Sequence, residues 1–194
     1  MITYQLQNSL YINLTNRCTN DCVFCIRRVP EGMGKDLWLD REPSAEDVIN
    51  EIPKPDAYDE IVFCGYGEPT LRLPQMLQIC QYLKSFEVRL RLNTNGQGSL
   101  IWGKDIVPYL AEYIDAVSIS LNAKDMEQYN LLCNPEDRAQ SYEAILSFAA
   151  QCKTAIPEVC LTVVDVISAY DIERCKSIAE QLGVDFRVRH YYQG

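Results

Sequence analysis

A chain of 194 residues with a formal net charge of −9 and a pI near 4.7 is long enough for one ordinary core and offers no counterion-release term for binding nucleic acid. With 47% hydrophobic residues, a mean hydropathy of −0.16 and no long uncharged apolar run, neither a membrane span nor a disordered tail is indicated. Met1-Ile-Thr-Tyr-Gln5 has no basic region followed by an apolar one, so a cytoplasmic address is expected. Nine cysteines, an odd number in a reducing compartment, then point to metal, cluster or buried-thiol roles ahead of disulfides.

No repeat, low-complexity tract or Gly/Ser linker divides the chain, which reads as a single domain over 1–194. Leu10–Leu14 is a first strand, followed by a cysteine-rich loop and the Gly/Pro-rich stretch Pro30-Glu-Gly-Met-Gly34, which excludes regular structure. After Pro43, Ser44 is placed as an N-cap before acidic residues and the helical spacing of Val48, Ile49 and Ile52. Ile61–Cys64 is strand two, and Leu73–Phe86 carries apolar residues at helical intervals. Strands follow at Val88–Asn93, Ala116–Leu121, Val159–Val164 and Phe186–Arg189. They are separated by helices over Ile106–Tyr113, Lys124–Leu132, Gln140–Cys152 and Ile172–Leu182. Alternation of this kind predicts an α/β fold, a six-stranded parallel (βα)6 partial TIM barrel.

The strands alternate polar with apolar residues, whereas an open sheet covered on both faces should be apolar throughout. Val88, Leu90 and Leu92 oppose Arg89, Arg91 and Asn93; Val117, Ile119 and Leu121 oppose Ser118, Ser120 and Asn122; Phe186 and Val188 oppose Arg187 and Arg189. If the apolar parity packs on helices, four guanidinium groups point into the barrel, where unpaired burial is prohibitive, so the lumen is expected to hold anions or water. Arg89, Arg91 and Arg187 are therefore candidate contacts for an anionic substrate.

Cys18-Thr-Asn-Asp-Cys22-Val-Phe-Cys25 places three thiols within eight residues. Zinc with a distant fourth ligand and an iron–sulfur cluster are both compatible with that set. His190 is the only histidine and no second Cys-x-x-Cys exists, so three ligands without a clear fourth suit a cubane with one open iron. The other cysteines, 64, 80, 133, 152, 160 and 175, are scattered singly on apolar positions and read as buried thiols.

Cys-x-x-x-Cys-x-aromatic-Cys after a first strand, with Phe24 as the aromatic, resembles the radical S-adenosylmethionine (radical SAM) superfamily. The resemblance implies a [4Fe-4S] cluster on Cys18, Cys22 and Cys25, with S-adenosyl-L-methionine chelating the fourth iron. It also implies reductive cleavage to a 5′-deoxyadenosyl radical that takes hydrogen from a substrate. Gly65-Tyr66-Gly67-Glu68-Pro69 is similar to the Gly-Gly-Glu-Pro segment that gathers the methionyl amino group, with Tyr66 departing from the first-position pattern. Thr94-Asn95-Gly96, together with Asn93, then Ser120 and Asn122, and finally Arg189, stand where that family contacts the cofactor. The phrases Leu10–Cys25, Val62–Thr70, Arg91–Gly96 and Ser118–Ala123 further resemble the small TatD-associated radical SAM proteins.

The expectation is a radical SAM enzyme acting on a small molecule or on a peptide or protein, served by a one-electron donor such as flavodoxin or ferredoxin, with no membrane or nucleic-acid partner. Two rivals stand beside it: an activase of a partner protein, and a non-catalytic iron–sulfur electron-transfer module. The second leaves Glu68, Ser120 and Asn122 without a role.

Overall fold

A computed structural model describes residues 1–29 and 36–191. Seven strands form one sheet in sequence order: β1 (Thr3–Leu6), β2 (Ser9–Ile12), β3 (Glu60–Phe63), β4 (Arg89–Thr94), β5 (Ala116–Ser120), β6 (Glu158–Val164) and β7 (Asp185–Arg189). β2 to β7 are parallel throughout, and only β1 runs antiparallel, against β2. The six expected strands are present within a residue or two. The count of six is corrected by β1, a four-residue strand returning through Gln7 and Asn8, where Gln7 takes a φ of 53°. The expected irregular stretch Pro30–Gly34 lies outside the described residues.

Parallel strands laid down in sequence order require crossovers that all step the same way, which puts the helices on one face; a doubly wound sheet would reverse its order midway. The helices are α1 (Ala45–Asn50), α2 (Leu73–Leu83), α3 (Gly98–Trp102), α4 (Val107–Ala111), α5 (Met126–Cys133), α6 (Ser141–Ala155) and α7 (Ala169–Leu182). α1 starts as its sequence demands: Ser44 Oγ accepts from Asp47 N at 3.1 Å, and Asp47 Oδ2 accepts from Ser44 N at 2.8 Å. α2 buries Leu73, Met76, Ile79, Cys80 and Leu83. These pack with Ile12, Ile61, Phe63, Leu90, Leu92, Val117, Ile119 and Leu161, one parity of each strand, in a single core between sheet and helices.

The opposite parity forms the concave side. There the expected set of unpaired arginines is corrected for two members. Arg89 Nε donates to Glu60 Oε1 at 3.0 Å and its Nη1 and Nη2 to Glu158 at 2.7 and 2.5 Å, while Arg91 Nη2 meets Glu60 Oε2 at 2.5 Å. Glu60 lies opposite Arg89 in the β3–β4 register, a cross-strand pair that single-strand parity does not reveal. Among the described residues no helix is long and apolar enough to cross a membrane.

Candidate functional site

The cysteine loop leaves the C-terminal end of β2 and is fastened on both sides. At its start, Thr15 Oγ1 donates to Glu42 Oε1 at 2.6 Å and Arg17 Nε to the same oxygen at 2.7 Å, with Arg72 closing on Glu42 Oε2. The hydrogen bond from Arg17, supported by Thr15 and Arg72, lowers the Glu42 carboxyl to about 2, so the clasp stays ionised. On the far side Asp21 N donates to Cys133 O at 3.0 Å and Val23 N to Leu132 O at 2.9 Å, tying the loop to the end of α5. Beneath it runs a buried polar network. Asn20 Nδ2 donates to Tyr129 Oη at 2.7 Å, and Gln97 Nε2 donates to Asn20 Oδ1 at 2.8 Å and to Tyr129 Oη at 3.0 Å. These three bonds link the loop to α3 and α5 and help to fix its backbone.

Cys18, Cys22 and Cys25 line one cavity of about 390 Å³ at the C-terminal ends of the strands, where barrel enzymes place their chemistry. Each sulfur has a polar neighbour. Asn20 N lies 3.4 Å and Asn95 Nδ2 3.9 Å from Cys18 Sγ, and Arg27 Nε lies 3.3 Å from Cys25 Sγ. Cys133, fully buried, hydrogen-bonds Cys22 and lowers it. Burial pushes the Cys18 thiol up to about 12, a thiol that ionises only against a strong cation, as coordinating metals force. Among the described residues, no group of three or more Cys, His, Asp or Glu is arranged around a single ion.

Opposite the thiols, Glu68 is 3% exposed and takes four hydrogen bonds. Oε1 accepts from Thr70 N (3.0 Å), Thr70 Oγ1 (2.7 Å) and Thr94 Oγ1 (2.7 Å), and Oε2 accepts from Asn95 N (2.7 Å). Burial raises the carboxyl against the pull of these donors. No cation among the described residues pairs with it. Gly65 and Gly67 are glycines for packing: an added Cβ would lie 2.0 Å from Asn13 Oδ1 at Gly65 and 2.3 Å from Arg17 O at Gly67. Tyr66 keeps negative φ, so its departure from the Gly-Gly pattern costs no strain. Its ring turns away from the cavity to pack with Tyr4 and Leu37, edge-on to Trp38 at 5.1 Å. Pro69 starts a short 3-10 turn, Pro69–Arg72, capped by Glu68.

Asn93, Asn95, Ser120 and Arg189 also line the cavity. Asn93 Oδ1 is buried without a hydrogen-bond partner among the described residues, and Arg189 Nη2 donates to Ser120 Oγ at 3.2 Å. Asn122 is not in the lining. It sits behind the loop at a φ of 58° with Nδ2 3.9 Å from Cys133 Sγ. Arg89, Arg91 and Arg187 are likewise absent from the lining. His190 borders the opening, with Nδ1 2.8 Å from Asp165 Oδ2. Trp102 Nε1 donates to Thr70 O at 2.7 Å as a loop anchor. Residues that sequence reasoning missed are Glu42, Thr70, Gln97 and Tyr129 as supports, Arg27 at Cys25, and Tyr4 and Tyr11, whose stacked rings (5.1 Å) wall the cavity from the β1–β2 hairpin. Only Arg27, two residues past the third cysteine, carried a sequence signal.

A family model described as the Radical SAM superfamily matches residues 12–182. The chain belongs to the radical SAM superfamily. Among curated proteins, "Uncharacterized protein MJ0804" of Methanocaldococcus jannaschii is 25% identical over 122 residues, 62% of this chain and 36% of that protein. Among solved structures, TYW1 with a lysine-pyruvate adduct bound is similar at a TM-score of 0.68 and 17% identity, covering 95% of this chain and 65% of that one. SuiB of Streptococcus suis bound to S-adenosylmethionine gives 0.68 and 18%, covering 96% and 39%. At these identities the structures show the shared fold. This radical SAM chain spans about a third of its curated relative and less than two thirds of either structure.

The residues present fit the groups the superfamily implies. Three thiols line one cavity and have N–H or S–H donors on them. A buried carboxylate with no cation faces the same space.

Proposed function

We propose that Cys18, Cys22 and Cys25 hold three irons of a [4Fe-4S] cluster, and that Glu68 and the backbone of Gly65–Gly67 receive the methionyl amino group of S-adenosylmethionine. The observation that carries this is the pairing, in one cavity, of three thiols with a buried carboxylate that has four donors and no cation. When bound, the reduced cluster supplies one electron to the sulfonium of S-adenosylmethionine, releasing methionine and a 5′-deoxyadenosyl radical that takes hydrogen from a substrate.

The protein's part is positioning and shielding. Glu68, locked by Thr70, Thr94 and Asn95, offers an ammonium group a fixed anion, and four pre-formed hydrogen bonds mean that little reorganises when it arrives. Arg27 and the amide of Asn20 point N–H groups at Cys25 and Cys18 sulfurs, which would favour the more reduced charge state of a cluster held there. Asn93 Oδ1, with no internal donor, is suited to a ribose hydroxyl, and Ser120 and Arg189 to the hydroxyls and carboxylate of the same cofactor. Asn122, outside the lining, acts on this reading through Cys133 and not by contact. Phe24, Tyr4, Tyr11 and Val164 give the cavity apolar walls that exclude water from a reactive radical.

The substrate is a small molecule or a peptide segment, and the electron comes from a carrier such as flavodoxin or ferredoxin in the reducing cytoplasm, where nine free thiols persist. The finer likeness to TatD-associated radical SAM proteins rests on the phrases quoted from the sequence. Anaerobic reconstitution, dithionite reduction and measurement of 5′-deoxyadenosine test the reading. Product is expected from wild type and none from Cys22→Ala. A cluster that forms yet never cleaves S-adenosylmethionine would leave the electron-transfer module as the better account.

A further inference from the structure

Below the cavity, the inward faces of β4 and β7 bring Arg91, Arg187 and Arg189 around Cys160. Their charges are unevenly met. Glu60 is shared, with Oε1 on Arg89 at 3.0 Å and Oε2 on Arg91 at 2.5 Å. The Nε of Arg91 is buried and has no hydrogen-bond partner among the described residues. Arg187 Nη2 reaches Ser118 Oγ at 3.3 Å and Arg189 Nη2 reaches Ser120 Oγ at 3.2 Å, so each guanidinium lies across β6 onto a hydroxyl of β5. No carboxylate of the described residues lies within 4.0 Å of Arg187 or Arg189, and Asp185, on the same face of β7, pairs with neither.

Two cations two residues apart on one strand face stand about 7 Å from each other and repel. In a chain of net charge −9 with 27 carboxylates available, a wall of guanidinium groups met only by serines is not a consequence of composition. Each serine hydroxyl, having accepted from an arginine, still has its own proton to donate, so every group on this wall presents a donor toward the lumen. Arg187 and Arg189 lie on the last strand of an open sheet, exposed at its edge, and Arg189 also lines the cavity that holds the three cysteines. A ligand anchored here therefore extends toward the thiols.

We propose that Arg187, with Ser118 beneath it and Arg91 behind, forms a subsite for the anionic group of the substrate, a phosphate or a carboxylate gripped by a guanidinium fork, next to Arg189 and Ser120, which face the cofactor. Assigning the anion to a substrate rests on the radical SAM reading above; binding of the anion itself does not.

The test uses the cluster-loaded protein with saturating S-adenosylmethionine. Its thermal midpoint is followed against inorganic phosphate in one arm and malonate in the other, with ionic strength held constant by chloride. A ligand that binds only the folded state raises the midpoint along a saturating curve. Wild type is expected to respond to at least one anion, and the arm that responds more strongly names the group. Arg187→Gln should weaken the apparent affinity by about tenfold or more, as loss of a charged hydrogen-bonding partner does. Arg187→Lys should retain part of it, and Arg138→Gln, in the turn between α5 and α6 and outside the cysteine cavity, should titrate like wild type. No saturating shift with either anion, or an Arg187→Gln titration matching wild type, overturns the subsite. If S-adenosylmethionine abolishes an anion response seen without it, the arginines serve the cofactor's carboxylate and the substrate assignment falls. A wild-type protein that binds anion but releases no 5′-deoxyadenosine contradicts the radical reading and leaves the subsite standing.

Discussion

Replacing Gly67 by alanine tests how the cysteine loop and the glutamate turn are joined. The new Cβ would lie 2.3 Å from Arg17 O and 2.4 Å from Thr15 O, against an ordinary contact distance starting at 3.4 Å. Both obstacles are backbone, so the strand-end segment carrying Cys18 must retreat by about 1 Å, and overpacking of this sort costs about 1–3 kcal/mol. The same movement stretches the hydrogen bond from Glu68 N to Arg17 O, now 2.8 Å, which sets the glutamate relative to the thiols. For a chain of this size each kcal/mol lowers the thermal midpoint by about 2–4 °C. The drop should therefore be about 2–12 °C, with iron content after reconstitution falling alongside it. Gly103 is the control. At a φ of 60° with nothing within 4 Å, its alanine variant loses about 1–2 kcal/mol through backbone strain and should load iron normally. A Gly67→Ala protein with wild-type midpoint and full iron would refute the packing argument.

Three further outcomes follow from the site. Burial raises Glu68 above its ordinary 4.5, so its contribution to stability is full below that pH and is lost as pH rises through the folded value; Glu68→Gln removes this dependence. The midpoint of wild type relative to Glu68→Gln should fall as pH is raised from 4.5 to neutrality in the ligand-free protein, and a difference constant with pH would count against a buried, cation-free carboxylate. Arg27→Gln removes a cation 3.3 Å from Cys25 Sγ and should lower the cluster's reduction potential, by on the order of 50 mV in an anaerobic titration; an unchanged potential would mean the contact is not kept in the loaded protein. Tyr129→Phe strands the buried amides of Asn20 and Gln97 at a cost of about 1–3 kcal/mol. Chemical denaturation should show it, and a loss under 0.5 kcal/mol would indicate that the network is not sharing the load.

The alternation of strands with helices was legible because one parity of each strand is apolar, and that parity alone builds the core. Ser44 was legible as an N-cap because the motif is local, while the reciprocal bond from Asp47 came with the structure. β1 was not, since four residues returning through Gln7-Asn8 lack the glycine that marks tight hairpins. The thiols and the glutamate turn were readable by spacing, while what supports them comes from remote elements: Glu42, Tyr129 and Cys133 reach the loop only through the fold. Parity foretold that the arginines stand on the face opposite the apolar core. It carried nothing of register, and register supplies the Glu60 and Glu158 partners that remove Arg89 from the set of free cations and bind Arg91.

The most direct measurement is a single-turnover assay on anaerobically reconstituted, dithionite-reduced protein, quantifying methionine and 5′-deoxyadenosine together. The account predicts the two in equal amounts from wild type, and neither from variants in which Cys18, Cys22 or Cys25 is replaced by alanine. A protein that holds a full cluster and S-adenosylmethionine yet yields neither product would contradict it.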